Sequence, residues 1–310
     1  MSKTASRKGK KPLLRRDTAD KTFAFALLIP AILTTILFIL IPLVDSVYRS
    51  FFDYKVSNII SGKPGVWNDF ANYVKLFTNG KLPTAIANTL LFVFGVVIAQ
   101  FIIGMALALI LNTNMKASRL IRSLMMVPWV VPTVISGLIW MWMFQPQYGL
   151  VKYLVGVITG GNVTNFAILN NPTTAMFGVS IAALWKQIPL SALLLLAGLS
   201  NVPEDMLEAA KIDGANARQR LLKIIVPSMK SVIKVTVSMS IIENFKQFPL
   251  FWTMTGGGPN NSTTTMAILS YREAFVSNNF GSGAAVTTVW MLMMVIVVFV
   301  YNRIFKNEKA

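Results

Sequence analysis

An all-α membrane protein of six transmembrane helices is the fold class that the sequence predicts, on three observations. Of 310 residues, 54% are hydrophobic and only 13% charged, against about a quarter charged in soluble domains. Six apolar stretches are each long enough to cross roughly 30 Å of hydrocarbon, which takes about 20 helical residues. The 29 Lys and Arg residues fall mostly on one side of those stretches.

The first span, near 22–44, is too long for a secretory h-region, and no small-residue cleavage motif follows it, so it reads as an anchor. The second lies near 86–111 and the third near 121–144. The fourth covers 174–199, the fifth 229–252 and the sixth 284–301. The fifth is the weakest, because Lys234, Glu243, Asn244 and Lys246 interrupt it. Pro30, Pro128, Pro132 and Pro189 sit inside spans, where neighbouring helices can satisfy the freed backbone groups.

Charge gives the direction. The N-terminal tail holds Lys3, Arg7, Lys8, Lys10, Lys11, Arg15, Arg16 and Lys21. The 112–122 loop adds Lys116, Arg119 and Arg122. The 200–230 loop adds Lys211, Arg218, Arg220, Lys223 and Lys230, and the C-terminus adds Arg303, Lys306 and Lys309. With both termini inside, 19 basic residues are cytoplasmic, seven lie outside and three lie within spans. This is a positive-inside pattern. The expected organisation is a basic cytoplasmic tail over 1–21, a membrane domain over 22–305 with its core at about 83–301, and a short cytoplasmic end over 306–310.

Composition also excludes chemistry. There is no Cys and no His, which removes disulfides, thiolate nucleophiles, imidazole bases and the commonest zinc ligands. No G-x-x-x-x-G-K-[ST] loop occurs, so hydrolysis of nucleotide by that route is not expected. No catalytic residue, metal site or enzyme activity is expected of this chain. The net charge of +17 is explained by topology and lipid, and no nucleic-acid partner is expected.

The informative segment is the 200–227 loop, SNVPEDMLEAAKIDGANARQRLLKIIVP. It is long for a connection between membrane helices and reads as two short ones. Ser200 or Asn201 suits the first N-cap, Pro203 its opening turn, and Glu204 and Asp205 its positive end. Gly214 allows a turn, and Pro227 marks the entry to the fifth span. Glu204, Leu207, Ala210 and Lys211 share a face by helical spacing. The small side chains of Ala209 and Ala210 admit close approach of another surface. A docking helix pair and an ordinary solvated loop both fit these residues.

Glu208-Ala209-Ala210, three residues, Gly214, nine residues and then Ile224 and Pro227 resemble the EAA loop of binding-protein-dependent ABC importer permeases. Departures are mild: Val226 where Leu is frequent, Leu221 where Phe is frequent, and Ser231 where a second Pro is common. The resemblance extends to 68–77 with 86–92, and to 119–154 with MMVPWVVPTVISGLIWMWMFQPQYG. It also takes in Thr255-Gly256-Gly257-Gly258-Pro259 with Thr264, Tyr271 and Ala274-Phe275. Together these cover most of 20–305 and are similar to the maltose and glycerol-phosphate branch. The fold so implied is a type I ABC importer permease bundle with a cytoplasmic EAA coupling loop.

The resemblance implies a translocation path for a carbohydrate, of oligosaccharide or glycerol-phosphate type, in a prokaryotic plasma membrane. It implies four kinds of partner: a second permease, usually a distinct chain; two ATP-binding-cassette ATPase subunits; an extracytoplasmic solute-binding protein; and lipid. No cofactor is expected on this chain, since ATP and Mg belong to the ATPase. Glu208, Ala209, Ala210, Asp213 and Gly214 would carry ATPase coupling, with Glu208 as the anion at the joint.

Polar residues inside spans are costly and tend to face a bundle interior. The substrate-path candidates are therefore Trp185, Lys186, Gln187, Glu243, Asn244, Lys246 and Gln247. Glu243 and Lys246 stand three apart on one face, which suits an ion pair with each other as well as contact with a sugar. Trp140, Trp185 and Trp252 are possible stacking platforms, although aromatics near span ends also serve as interface anchors. The Met-rich stretches Met125-Met126 and 291–294 read as packing. The rival functional reading is a secondary transporter driven by an ion gradient, which accounts for six spans and the span-five charges but not for the loop. A channel or scaffold accounts for neither the loop nor the GGP segment.

Overall fold

The computed structural model describes residues 14–113, 118–161 and 166–305. The basic residues of 1–13, with Lys116, Lys306 and Lys309, lie outside the described residues, as do the side chains of Arg15 and Arg16. Span one is one continuous helical rod whose apolar part covers Phe25–Arg49, with none of that stretch buried against the bundle. It touches the rest mainly through Ile41–Arg49, which packs along span six. Spans two, four and six are the unbroken helices Lys81–Leu111, Ala175–Leu199 and Phe280–Ile304.

Two spans differ from simple rods. Span three is a bent pair, Ser118–Val130 and Thr133–Met143, meeting at 93°. Pro132 cannot donate to a helical carbonyl and forces the preceding Val131 into extended geometry (φ −60°, ψ 131°). Span five is likewise bent, Ala217–Ser228 meeting Lys230–Phe245 at 77°. Its membrane helix stops at Phe245, short of the 252 expected from hydropathy. A break over Lys246-Gln247-Phe248 precedes a separate helix, Pro249–Met254. The cause is again a proline, since Pro249 offers no N–H to continue the ladder. Elsewhere prolines are absorbed: π-helical turns at Ile36–Leu40 and Leu221–Ile225 sit just before Pro42 and Pro227. Each wider turn relaxes the carbonyl four residues before the ring, Phe38 and Lys223 respectively.

Helices associate here through packing, because lipid is as apolar as any core. Spans two and four meet through small residues: a Cβ on Gly104 would stand 3.4 Å from that of Ser191. The central core joins Phe92, Val96, Val179, Phe245, Phe251 and Ile268. A second cluster at the end carrying the 200–227 loop joins Met105, Leu111, Leu195, Leu199, Met229 and Ile233. A third, at the opposite end, joins Leu76, Leu82, Met266, Leu269, Ala285 and Val286. There a two-stranded antiparallel ribbon pairs Phe52 with Trp67 and Asp53 with Val66. At that same end Lys81 donates to Glu273 at 2.6 Å, and Ser282 donates to the other carboxylate oxygen at 2.9 Å.

The GGP segment folds over this end. Gly256 and Gly257 both have positive φ, and a Cβ on Gly257 would come within 2.8 Å of Ile268 and Thr264. Arg272 ties the segment down, donating to Gly256 O at 2.6 Å and to Asn261 Oδ1 at 2.8 Å.

Candidate functional site

Two features of this framework bear on function: the 200–227 loop and a cavity among spans two to five. In the loop, the first helix runs Glu204–Ile212, after Pro203. The N-cap expected at Ser200 or Asn201 is not formed. Their side chains instead donate back to Leu196 O (3.0 Å) and Ala197 O (3.1 Å), closing the end of span four. The helix ends in a Schellman motif: Ala215 N donates to Ala210 O at 2.9 Å and Gly214 N to Lys211 O at 3.1 Å. Gly214 supplies the φ of +77° that this turn needs. Asn216 then caps the second helix in a reciprocal capping box with Gln219.

The first loop helix is anchored by its inner face. Ala210 is buried and Leu207 packs on the cluster of Leu199, Val202 and Met229. Glu208, Ala209, Asp213 and Gly214 are exposed. Among the described residues Glu208 makes no ion pair. A rigidly mounted helix thus turns a carboxylate and a small side chain outward.

The cavity encloses about 560 Å³, within the roughly 300–1,000 Å³ of small-molecule sites. Span four contributes Lys186, Gln187 and Ser191, and span five contributes Thr236, Ser240 and Glu243. Lys246, Gln247 and Pro249 come from the break after span five, Trp129 and Thr133 from the break in span three, and Gln100 from span two. Both helix breaks therefore open onto the same space. Irregular backbone within a membrane bundle occurs where it lines such a cavity.

Of the candidates read from sequence, Lys186, Gln187, Glu243, Lys246 and Gln247 line the cavity. Glu243 and Lys246 pair with each other at 2.8 Å, both exposed. Asn244 is 2% exposed and locked in a reciprocal amide pair with Gln187, at 3.1 and 3.0 Å. Trp185 lies outside the lining and packs edge-on against Trp140, ring centres 6.0 Å apart. Trp252 stacks on Phe248 at the opposite end of the bundle, 5.7 Å between centres. The indole on the cavity wall belongs to Trp129, which sequence reasoning did not select. Nor did it select Gln100, Ser191, Thr236 and Ser240. The signal was a polar stripe on span five, Thr236, Ser240, Glu243 and Gln247, repeating at helical spacing.

The amide pair makes a direct prediction. Asn244→Leu strands the Gln187 side chain and should cost about 1 kcal/mol of stability. The Gln187→Leu/Asn244→Leu double variant should recover part of that loss in thermal unfolding in detergent. Equal, additive losses would mean that the pair contributes no coupling.

Residues 100–308 match the family model described as binding-protein-dependent transport system inner membrane component. The chain is 30% identical to the trehalose/maltose transport system permease protein MalF of Thermococcus litoralis, over 92% of this chain and 94% of that one. It is 31% identical to the sulfoquinovosyl glycerol transport system permease protein SmoG of Agrobacterium fabrum, over 94% and 93% respectively. It shares its fold with a chain of a bacterial ABC transporter that imports alginate, at a TM-score of 0.77 and 20% identity, covering 94% of this chain and 98% of that one. The EAA-type loop, the bent spans around one cavity and these likenesses agree: the chain belongs to the inner-membrane permease components of binding-protein-dependent ABC transport systems.

Proposed function

We propose that this chain forms part of the import path of a carbohydrate, and that the space among spans two to five is where the solute passes. The observation that carries the reading is the chemistry of the cavity wall. The amide of Gln247, hydroxyls of Thr133, Thr236 and Ser240, and the indole of Trp129 line it together. Sugar hydroxyls need paired donors and acceptors plus an apolar ring face. The named solutes of the relatives, trehalose and maltose in one and sulfoquinovosyl glycerol in another, support the same class. An ion-driven mechanism finds less support, because the span-five charges close on each other at 2.8 Å.

In this reading the 200–227 loop is cytoplasmic, as the Lys and Arg bias supports, and both termini lie on that side. The first loop helix docks on an ATPase subunit. Two such subunits supply ATP and Mg chemistry, and this chain supplies none. A second permease completes the path, and an extracytoplasmic binding protein delivers solute at the GGP end. ATP binding draws the ATPase subunits together and moves the docked helices as rigid bodies, which switches the bundle between its two openings. The driving force is the differential affinity of those states for ATP and for the loaded binding protein.

Trp129→Ala tests the cavity assignment. Loss of a stacking face worth about 1.4 kcal/mol should raise the apparent KM for sugar about tenfold. Uptake of labelled trehalose or maltose by the reconstituted importer measures it. An unchanged KM across neutral and anionic sugars would remove Trp129 from the solute path.

A further inference from the structure

The break in span three leaves carbonyls without helical partners. Pro132 lacks the N–H that Pro128 O would otherwise receive, and the extended Val131 turns the chain before Thr133–Met143 begins. Backbone polar groups at membrane depth must be satisfied within the protein. On the far side of the break the second half caps itself: Ser136 N and Oγ both donate to Pro132 O, at 2.9 and 3.2 Å. On the near side the partner comes from another span. Lys186, near the middle of span four, donates from Nζ to Trp129 O at 3.1 Å and to Val131 O.

Lys186 is thus a cation placed at the carbonyl end of a helix, where the backbone dipole favours positive charge. Its surroundings leave it no better partner. The carboxylate on the same cavity, Glu243, is held by Lys246 at 2.8 Å, and the adjacent Gln187 is taken by Asn244. The same break carries Trp129 and Thr133 onto the cavity wall, so whatever fixes the break fixes those side chains.

We propose that Lys186 is a positioning residue, not a solute ligand: it bolts the carbonyl end of the first half of span three to span four and so holds the cavity wall in register during transport. The role rests on the reading of this cavity as the solute path, but the bolt itself does not depend on which solute passes. Lys186→Met keeps the stem and removes every donor. Lys186→Arg keeps charge and donors, and Lys186→Gln keeps a shorter donor.

The test joins two readouts in the assembled importer in proteoliposomes. One is the split of uptake kinetics into maximal rate and KM. The other is a spin-label distance across the break, from Leu124→Cys and Leu138→Cys in a chain with no native cysteine. Loss of two charge-assisted hydrogen bonds should lower the maximal rate about ten- to a hundredfold, with KM rising by no more than the roughly tenfold expected for loss of the Trp129 face itself. The label distance should shift or broaden in Lys186→Met and stay at the wild-type value in Lys186→Arg. Where Lys186→Met does not reach the membrane, Lys186→Gln is read in the same way. A raised KM at unchanged rate and unchanged distance would make Lys186 a solute contact and overturn the proposal. So would a fall in rate without a change in distance, or a change in distance without a fall in rate. If wild type moves no sugar, the carbohydrate reading fails, and an unaltered label distance in Lys186→Met would still overturn the bolt.

Discussion

Glu208→Lys should abolish ATP-driven uptake while the chain still inserts and folds. The carboxylate stands exposed on a helix whose other face is fixed by Leu207 and Ala210. Reversing its charge therefore removes no contact of the bundle, and thermal stability in detergent should stay near wild type. In the proposed docking role the substitution sets a cation where the joint would hold an anion. Disrupting one partner of a desolvated charge pair costs about 2–5 kcal/mol, at least about thirtyfold in affinity. Co-purification with the cognate ATPase should fall accordingly, and ATP hydrolysis should no longer respond to the loaded binding protein. Intact co-purification and coupling in Glu208→Lys would move the joint away from this helix.

The second large effect concerns the opposite end. Lys81, at the start of span two, donates to Glu273 at 2.6 Å, and Ser282, in the first turn of span six, donates at 2.9 Å. The carboxylate side chain is 9% exposed and the lysine 48%. Lys81→Met therefore leaves a nearly buried carboxylate with one hydroxyl partner. The expected loss is about 2 kcal/mol, below the roughly 3–5 of fully buried pairs because water already reaches the lysine. The Lys81→Met/Glu273→Met double variant should be more stable than Lys81→Met alone, since it removes the stranded charge along with its partner. Denaturant titration in detergent micelles reads both. A double variant no better than the single would mean that the carboxylate is satisfied without Lys81.

Much of this arrangement was legible in the sequence, and the failures have physical causes. The 200–227 loop was readable because cap, turn and helix chemistry act locally: Gly214 at positive φ, Pro203 before the first turn, and fixed spacing between them. The cap expected at Ser200 or Asn201 failed because either side chain serves equally as donor to the preceding helix, and Ala210, read with Ala209 as open to another surface, is instead buried against the bundle. Hydropathy found all six spans but reports composition, not direction, so it could not see the 93° bend at Pro132 or the stop at Phe245. Pro132 and Pro249 carried that information. A proline in a bundle can also be absorbed, as at Pro42 and Pro189, and only the tertiary partner decides which. The cavity was half legible. Charged and amide residues of spans four and five stand out against an apolar background, whereas Ser191, Thr236 and Ser240 look like ordinary small packing residues. Trp185 attracted notice beside Lys186, yet the cavity takes the Lys186–Gln187 side of span four, and the Trp185 ring turns to Trp140.

Transport in a defined system puts ATP-driven, binding-protein-dependent import to the test. The chain, its partner permease and the ATPase would be reconstituted in liposomes, with the binding protein outside and labelled sugar supplied. Uptake should require ATP on the ATPase side together with binding protein on the other, and should be indifferent to an imposed proton or sodium gradient. Uptake by this chain alone, driven by such a gradient and unaffected by ATP, would contradict it.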